Sequence, residues 1–302
     1  RQMCIRDREE AVQLRGEDVA AILYTSGTTG RPKGAVLTHA NLIFSAGSLV
    51  TLWGMRADDV LLHALPIFHA HGLFIAINTA LRAGATTVFL NRFTLESVIA
   101  QMPQATIFMG VPTFYTRLLA DARLDATLCA GMRLFTSGSA PLSSVVHDAF
   151  RVRTGRTILE RYGLTETTIV ASNPLEGPRS PGTVGYALPG VNVQVRDKGG
   201  RLLPADTVGE LVIRGPNVFR CYWGMPDTSA AAMTADGFFR TGDLATIAPD
   251  GRIAIVGRAK DLIISGGYNV YPQEVEAALN RFETVQDSAV IGVPHPDFGE
   301  GV

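Results

Sequence analysis

The sequence has little excess charge and few cysteines, and each shortage excludes a class of protein. Its 27 basic and 28 acidic residues nearly cancel, so it lacks the basic stripe of nucleic-acid-binding proteins. The three cysteines, Cys4, Cys129 and Cys221, have neither disulfide nor zinc spacing, which indicates a reducing compartment. No apolar run is long enough to span a bilayer. We therefore expect no nucleic-acid partner, no membrane span, and a cytoplasmic location, with an organellar matrix as the alternative.

Both ends of the chain lack the pattern of a folded element. Residues 1–18 are unpatterned and carry no apolar stretch of a secretory signal, so we expect a leader here that could be foreign to the protein. The chain stops at Val302, soon after the turn-like residues 294–297 and without a closing element. These features favour an internal fragment of a longer enzyme.

From about residue 20 to residue 163, strand-like apolar runs alternate with runs of helical periodicity. This alternation predicts crossover units and therefore an α/β fold with a mainly parallel sheet layered with helices. Ligands of such sheets bind beyond the carboxyl ends of the strands. The polar motifs described below follow predicted strands, so we expect them to meet at one edge of the sheet.

The pattern changes twice after residue 176. Residues 191–196 and 210–214 alternate with period two, which predicts a small antiparallel β subdomain. Beyond residue 259, a helix over 272–279 and a strand over 288–293 predict the start of a small α+β C-terminal domain. The predicted division is a leader, a large domain and a truncated small domain, at residues 1–18, 19–259 and 260–302.

Residues 25–34 hold four hydroxyls, three glycines and one lysine. The residues are Thr25, Ser26, Gly27, Thr28, Thr29, Gly30, Arg31, Pro32, Lys33 and Gly34. We predict a buried strand over 21–24 before them and a helix from about Thr38 to Trp53 after them, an arrangement in which backbone N–H groups hold a polyphosphate. The lysine is followed by glycine, so this is not the Walker A pattern. An ordinary flexible surface loop is the alternative.

Two shorter motifs follow. Tyr162-Gly163-Leu164-Thr165-Glu166-Thr167 presents a hard carboxylate, which Mg²⁺ can share with substrate phosphates. The alternative is a helix capped by Thr165. In Thr241-Gly242-Asp243-Leu244, an aspartate after a tight turn could accept two hydroxyl groups, and the alternative is a plain turn residue.

These motifs, in this order, resemble those of the adenylate-forming superfamily of acyl-CoA synthetases, peptide-synthetase adenylation domains and luciferases. The resemblance implies a large AMP-binding domain, Mg²⁺ as cofactor bound by Glu166, and catalytic roles for Lys33, Thr165 and Glu166. The residues implied to contact ATP or AMP are Thr25, Ser26, Gly27, Thr28, Thr29, Gly30, Lys33, Ser137, Gly138, Ser139, Tyr162, Gly163, Thr165, Asp243 and Arg258.

The resemblance also implies roles near the predicted domain boundary. Lys260 matches a hinge at which the small domain would rotate between two half-reactions, and Gly266 and Gly267 would face the coenzyme A channel. A solvated lysine is the alternative for Lys260. The family's catalytic lysine for adenylation lies beyond the end of this chain, so we expect the chain to be inactive in isolation.

Arg161 points to the acid that would be activated. A guanidinium in an acyl pocket is costly unless a carboxylate meets it, which favours a dicarboxylic acid bound by Arg161, His69 and Ser139. This combination resembles malonyl-CoA synthetases. The alternatives are that Arg161 pairs with Glu160 or another acid, and that His69 and His71 are ordinary packed or capping histidines.

The implied reaction needs no general base, because a carboxylate is already ionised at neutral pH. Mg²⁺, Lys33 and loop amides would stabilise its approach to the triphosphate of ATP. The product is an acyl-adenylate, from which coenzyme A would displace AMP. The expected substrates are ATP, coenzyme A and malonate or methylmalonate. The alternatives are that the enzyme activates another small acid, that a carrier-protein thiol is the acceptor, or that the chain binds nucleotide without turnover.

Overall fold

A computed structural model describes residues 13–25, 32–177, 179–282, 284–285 and 288–302. Within these ranges the strands are β1 (Val19–Thr25), β2 (Lys33–Thr38), β3 (Val60–His63), β4 (Thr86–Phe89), β5 (Ile107–Gly110), β6 (Leu134–Ser137), β7 (Ile158–Tyr162), β8 (Ala171–Ser172), β9 (Tyr186–Ala187), β10 (Asn192–Arg196), β11 (Gly209–Arg214), β12 (Cys221–Tyr222), β13 (Phe239–Ile247), β14 (Ile253–Arg258), β15 (Ile263–Ser265), β16 (Tyr268–Val270), β17 (Val293–His295) and β18 (Gly299–Gly301). The α-helices are α1 (His39–Leu52), α2 (Asn78–Ala83), α3 (Leu95–Gln101), α4 (Pro112–Leu119), α5 (Ser144–Thr154), α6 (Pro226–Ala231) and α7 (Pro272–Leu279).

Two of the predicted segments fall largely outside the described residues. Most of the predicted leader belongs to residues 1–12, which are not among the described ranges. The same holds for the centre of the predicted phosphate loop, that is, Ser26, Gly27, Thr28, Thr29 and Gly30. Of that loop, the structure describes Thr25 at one end and residues 32–34 at the other.

The largest sheet has seven strands in the order β4-β3-β5-β6-β7-β8-β9. Its members from β4 to β7 pair in parallel, and β8 and β9 continue it in antiparallel pairs. The strand β5, in the middle of the five parallel strands and with the sequence Ile-Phe-Met-Gly, is buried along its whole length, as expected for a parallel sheet covered on both faces. The prediction of a mainly parallel α/β sheet is confirmed.

Local signals explain where the connecting helices begin and end. The side chains of Thr94 and Ser143 accept hydrogen bonds from first-turn N–H groups of α3 and α5. Pro112 opens α4, where its missing N–H is not needed, and Gly155 ends α5 with a φ of 69°. None of the helices in the described ranges is both long and apolar enough to cross a membrane.

The segment between the predicted phosphate loop and the predicted helix forms a strand that was not predicted. β2 pairs antiparallel with β1, so that Lys33 lies opposite Thr25, and β12 joins the other edge of β2. Helix α1 begins only after β2, where Thr38 and Asn41 form a capping box. The helix predicted from about Thr38 to Trp53 is therefore confirmed, but the predicted order of strand, glycine-rich turn and helix lacked the strand β2 between the turn and the helix. β2 is buried from Gly34 onward, so no alternation of polar and apolar residues marked it as a strand.

A second sheet, β10-β11-β13-β14, is antiparallel, as the period-two pattern predicted. Its strands β13 and β14 were not predicted. The pairing of β13 with β11 shifts register between Arg240 and Leu244, and Gly242 there has a φ of 72°. Asp243 thus lies inside a strand, and its predicted place after a tight turn is wrong. The irregular backbone at Gly242 interrupts the alternation that would have revealed β13.

The last sheet has the order β16-β15-β18-β17, and α7 precedes β17 in the chain. The predicted bounds of α7 are confirmed. The strand predicted over 288–293 is wrong, because the backbone N–H of Val290 donates to Glu276 Oε1 of α7 at 2.9 Å and β17 begins only at Val293. The division of the chain at residue 259 stays a prediction.

The segment between β3 and α2 forms a π-helical turn over His71–Ile77. A Cβ on Gly72 would lie 2.3 Å from the carbonyl oxygen of Pro66, so only glycine fits this close approach. Single π-turns are frequent at functional sites because they redirect side chains. Here the turn begins with His71, which lines the cavity described below.

Asp59 joins the starts of several strands. Its carboxylate accepts hydrogen bonds from Arg133 Nε at 2.6 Å and Thr106 Oγ1 at 2.9 Å, and it also bonds Arg133 Nη2. Arg133 Nη1 in turn donates to the carbonyl oxygen of Trp53 at 3.1 Å. Asp59 is only 1% exposed, so its loss would leave the guanidinium of Arg133 without its charge partner.

We predict that Asp59→Ala lowers the free energy of unfolding by about 3–5 kcal/mol, because breaking a buried ion pair leaves an uncompensated charge. Asp58→Ala is the matched control: Asp58 pairs with Arg56, and both side chains are more than half exposed. The control should cost less than about 1 kcal/mol. Urea denaturation measures both, and equal losses would contradict the structural role of Asp59.

Candidate functional site

A cavity of about 910 Å³ lies where the carboxyl ends of β6 and β7 meet β13, β14 and the β1–β2 hairpin. This is the position at which ligands of parallel sheets bind. Ten of the predicted site residues line it: Thr25, Lys33, His69, Ser139, Arg161, Gly163, Thr165, Glu166, Arg258 and Lys260. The described site residues outside the lining are Ser137, Gly138, Tyr162, Asp243, Gly266 and Gly267.

The loop after β7 presents Thr165 and Glu166 to the cavity. Its path is tight: a Cβ on Gly163 would lie 2.1 Å from the carbonyl oxygen of Thr168, and Thr168 itself has a φ of 51°. Thr168 bonds the Ser45 hydroxyl from α1, which holds this strained residue in place. No helix begins at Thr165 in the described chain, so the alternative of a helix cap is wrong.

Tyr222 connects the two charged residues at one end of the cavity. Its hydroxyl donates to Glu166 Oε1 at 2.9 Å, and Lys33 Nζ lies 5.3 Å from the centre of its ring. Burial, together with the negative charge of Glu166, raises the pKa of Tyr222, so it stays a donor. Sequence reasoning missed Tyr222; the only signal was its position in the aromatic stretch between Phe219 and Trp223.

At a second wall, formed by β7, β13 and β14, Tyr162, Asp243 and Arg258 form a hydrogen-bonded network. The Tyr162 hydroxyl donates to Asp243 Oδ2, and Arg258 Nε lies 2.9 Å from Asp243 Oδ1. Burial raises the pKa of Asp243, and its bonds to these two partners counteract the shift. This arrangement places the carboxylate of Asp243 beside the exposed guanidinium of Arg258, which lines the cavity.

Arg161 is buried in the cavity wall without an anionic partner. It is 4% exposed, and its Nε and Nη2 atoms have no hydrogen-bond partner among the described residues. Burial lowers its pKa to about 10, which leaves it positively charged at neutral pH. The neighbouring Glu160 does not pair with Arg161, because its carboxylate accepts a hydrogen bond from the Gly182 N–H at 3.3 Å. The predicted alternative of a pair between Arg161 and Glu160 is therefore wrong.

The absence of a side chain at Gly138 makes room for this guanidinium. A Cβ on Gly138 would lie 2.5 Å from Arg161 Cζ and 2.6 Å from its Nε. Such distances do not occur between real atoms, so glycine at this position allows the guanidinium to lie against the backbone. Gly138 follows β6 and Arg161 belongs to β7, and the parallel pairing of these strands brings the two together.

Two histidines face Arg161. His71 is buried, and its Nδ1 lies 3.2 Å from Ser139 Oγ. Burial and the positive charge of Arg161 hold the pKa of His71 well below the usual range. His69 is exposed at the cavity mouth, and partial desolvation and the same charge lower its pKa. Both imidazoles are therefore neutral near pH 7 and add no positive charge. His71 belongs to the cavity, whereas the sequence favoured an ordinary packing role.

Near the predicted domain boundary, Lys260 lies in a short 3₁₀ turn over Ala259–Asp261 and lines the cavity. Its nearest acid is Asp261, at 3.9 Å, and both side chains are more than half exposed. Gly266 and Gly267 form the turn between β15 and β16, with φ values of 56° and 84°. The structure does not bring these glycines into the cavity lining, and their predicted role stays a prediction.

Residues 2–223 of the chain match the family described as AMP-binding enzyme. The chain belongs to this AMP-binding enzyme family. It is 51% identical to ATP-bound MatB from Rhodopseudomonas palustris, with a TM-score of 0.94 over 96% of this chain and 58% of that one. A malonyl-CoA ligase complex with methylmalonyl-CoA and AMP is 44% identical, with a TM-score of 0.76 over 95% of this chain and 63% of that one.

Among curated proteins, this AMP-binding enzyme is 40% identical over 319 residues to the mitochondrial malonate–CoA ligase ACSF3 of Mus musculus. The match covers 94% of this chain and 54% of that protein. The chain thus spans about half the length of the curated relatives it matches. The resemblance to adenylate-forming enzymes predicted from the sequence is confirmed at the level of the family.

The residues of the cavity fit a magnesium ion bound together with phosphates. Within the described ranges there is no cluster of three or more histidine, cysteine or acidic side chains that could hold a metal alone. Glu166, however, lines the cavity with a carboxylate whose only hydrogen bond from the described residues is at Oε1. Mg²⁺ is typically held by one or two carboxylates plus substrate phosphates, so a single acid meets its requirement.

The ionisation of Glu160 makes the stability of the folded protein depend on pH. Burial raises the pKa of its carboxyl group to about 8, and the N–H of Gly182 counteracts only part of this shift. In the unfolded chain the same group loses its proton near pH 4.3. Between these two values the folded state binds more protons than the unfolded state, so the free energy of unfolding decreases as the pH rises.

We predict that Glu160→Gln removes this decrease, because glutamine keeps the shape but does not ionise. The measurement is the urea midpoint between about pH 5 and about pH 8, where the unsubstituted enzyme should lose stability through the ionisation of Glu160. Glu176→Gln, at an exposed position, is the control and should retain the slope. An unchanged slope in Glu160→Gln would show that this carboxyl group is not responsible.

Proposed function

We propose that this chain is part of a ligase that activates a short dicarboxylic acid as an acyl-adenylate and transfers it to coenzyme A. The observation that carries the proposal is the buried, unpaired guanidinium of Arg161 in the same cavity as Lys33 and Glu166. Malonate is the favoured acid and methylmalonate a further candidate, since relatives carry these names.

One end of the cavity has the chemistry of a triphosphate site. We assign the phosphates to the loop from Thr25 to Lys33, which includes residues outside the described ranges, and the α-phosphate to the hydroxyl of Thr165. Glu166 would hold Mg²⁺, which when bound neutralises phosphate charge. Lys33, at the same end of the cavity, contributes a positive charge. Losing one such positioned group typically lowers the rate by about 10²–10³.

The nucleoside is assigned to the other wall. Asp243, with Arg258, would accept the ribose hydroxyls, because its carboxylate pairs with Arg258, which lines the cavity. Tyr162 and Gly163 would lie beside the adenine. The residues Ser137, Gly138 and Ser139 at the end of β6 complete the nucleotide wall and border the acid.

The acid is assigned to the space in front of Arg161. A guanidinium can meet a carboxylate with two parallel N–H groups, and the Nε and Nη2 atoms of Arg161 have no hydrogen-bond partner among the described residues. A second carboxylate would also cancel a buried charge, whereas an apolar tail would leave it uncompensated. Ser139 and the neutral His69 add hydrogen-bonding groups without competing for the anion.

The second half-reaction involves the C-terminal part of the chain. We propose that rotation at Lys260 alternates the orientation of the small domain, and that Gly266 and Gly267 then border the coenzyme A channel. A relative named as mitochondrial makes an organellar matrix as compatible as the cytoplasm.

Two other functions are separable by experiment: ligation of another small acid, and nucleotide binding without turnover. The complete polypeptide would be incubated with ATP, Mg²⁺, a candidate acid and hydroxylamine, which traps acyl-adenylates. We expect trapped malonate and little trapped acetate or octanoate. Trapping of a monocarboxylate instead would favour the first alternative, and nucleotide binding without any trapped acid would favour the second.

We predict that Arg161→Gln removes the preference for malonate over acetate in this assay, because glutamine has no positive charge to pair with the second carboxylate. The loss should exceed about 10²-fold, since a buried charged hydrogen bond contributes several kcal/mol. Arg151→Gln, an exposed change on α5, is the control. Calorimetric ATP binding should survive in both variants, and unchanged acid selectivity in Arg161→Gln would contradict the assignment.

A further inference from the structure

The strand β12 carries Tyr222 to the junction of two functional segments. β12 pairs with β2, so that Tyr222 lies opposite Ala35, only two residues beyond Lys33. The neighbouring Trp223 N–H donates to the carbonyl oxygen of Gly34 at 2.7 Å, and the Arg220 N–H donates to that of Val36 at 2.9 Å. The backbone around Tyr222 is therefore fixed to the strand that begins with Lys33.

The same segment also holds the loop that carries Glu166. The Phe219 N–H donates to the backbone carbonyl of Glu166 at 2.7 Å. Asn217 Nδ2 donates to the carbonyl oxygens of Thr167 and Ile169, at 3.3 Å and 2.8 Å. From α1, Asn41 Nδ2 in turn donates to the carbonyls of residues 216 and 218, at 2.7 Å and 2.9 Å. Residues 216–223 thus cross-link the hairpin, α1 and the Glu166 loop.

Tyr222 is the side chain of this segment that contacts both charges. Its hydroxyl donates to Glu166 Oε1, and its ring lies beneath the ammonium group of Lys33, at the distances given above. The tyrosine is 6% exposed, and its ring packs edge-on against Phe219 with 4.7 Å between ring centres. A phenylalanine would fill this packing equally well, so the hydroxyl has a purpose beyond the core.

We propose that Tyr222 is a positioning residue that sets Glu166 and Lys33 for one Mg²⁺-bound polyphosphate. The inference rests on the proposed function of this cavity. The hydroxyl occupies Oε1, which fixes the rotation of the carboxylate about its last bond and directs the other oxygen to the cavity. The ring supports Lys33 through a cation–π contact, which keeps the ammonium group near the same place without neutralising it. Partners that orient a metal ligand typically change metal affinity by about 10–100-fold.

The test measures ATP binding by calorimetry while MgCl₂ is varied, and again in EDTA. We expect Tyr222→Phe to need about 10–100-fold more MgCl₂ for half-maximal ATP binding, while binding in EDTA stays close to that of the unsubstituted protein. Tyr222→Leu, which also removes the ring, should in addition weaken ATP binding in EDTA by about 2–5-fold. Tyr186→Phe removes a hydroxyl outside the cavity lining and should change neither quantity. Thermal melting checks that each variant is folded.

Glu166→Gln separates this inference from the proposed function. If Tyr222 acts through Glu166, Tyr222→Phe should add little to the MgCl₂ requirement of Glu166→Gln. An unchanged requirement in Tyr222→Phe, with a raised one in Glu166→Gln, overturns the role of Tyr222 and leaves the proposed site intact. Unchanged requirements in both variants overturn the assignment of Mg²⁺ to Glu166 and the inference with it. Equal weakening of ATP binding with and without MgCl₂ in Tyr222→Phe would show a general structural role and overturn the inference.

Discussion

The uncompensated charge of Arg161 is the constraint to which the rest of the cavity is adapted. Holding a guanidinium away from water without an anion costs several kcal/mol, and the surroundings avoid increasing that cost. The nearby histidines have lowered pKa values and stay neutral, and Gly138 leaves the space that the guanidinium occupies. Glu160, the adjacent acid in the chain, contacts Gly182 instead of neutralising the charge. The buried charge of Arg161 therefore lowers the stability of the folded protein, and an anion bound beside it would restore that stability.

The cavity walls come from distant segments, and hydrogen bonds to backbone groups hold them in register. Two asparagine side chains make several of these hydrogen bonds, since Asn41 and Asn217 each donate to two carbonyl oxygens. Thr168 adopts a left-handed backbone that a β-branched residue normally avoids. Such strain persists only where neighbouring contacts over-determine the conformation, and the bond to Ser45 from α1 is one of them.

The sequence was most informative where signals are local. Proline and capping residues located α4 and α7, and the parallel sheet followed from the alternation of strands and helices. Two kinds of feature were not predicted from the sequence: irregular or fully buried strands, and contacts between distant residues. β2 is buried on both faces and β13 contains the irregular Gly242, so neither shows the period of an ordinary strand. Pairings between distant residues escaped as well: the bond from Tyr222 to Glu166 joins positions 56 residues apart, and no spacing rule connects them.

Residues proposed to bind substrates were easier to locate in the sequence than residues proposed to orient them. The motifs containing Lys33, Arg161 and Glu166 each combine a charge with glycines or hydroxyls, so their chemistry is visible in a short window. Tyr222 and Asn217 stand among apolar and turn residues, where a tyrosine or asparagine is unremarkable in sequence. Their importance comes from the tertiary contacts alone.

The hydrogen-bonded network of Tyr162, Asp243 and Arg258 has a consequence for whatever reaches that wall. Each oxygen of the Asp243 carboxylate has one partner and keeps a further lone pair, so an arriving hydroxyl can bind without displacing Tyr162 or Arg258. The two existing bonds hold the carboxylate in one orientation before a ligand arrives. The wall would therefore discriminate by shape, admitting a ligand whose hydroxyls reach the lone pairs that these two partners leave open.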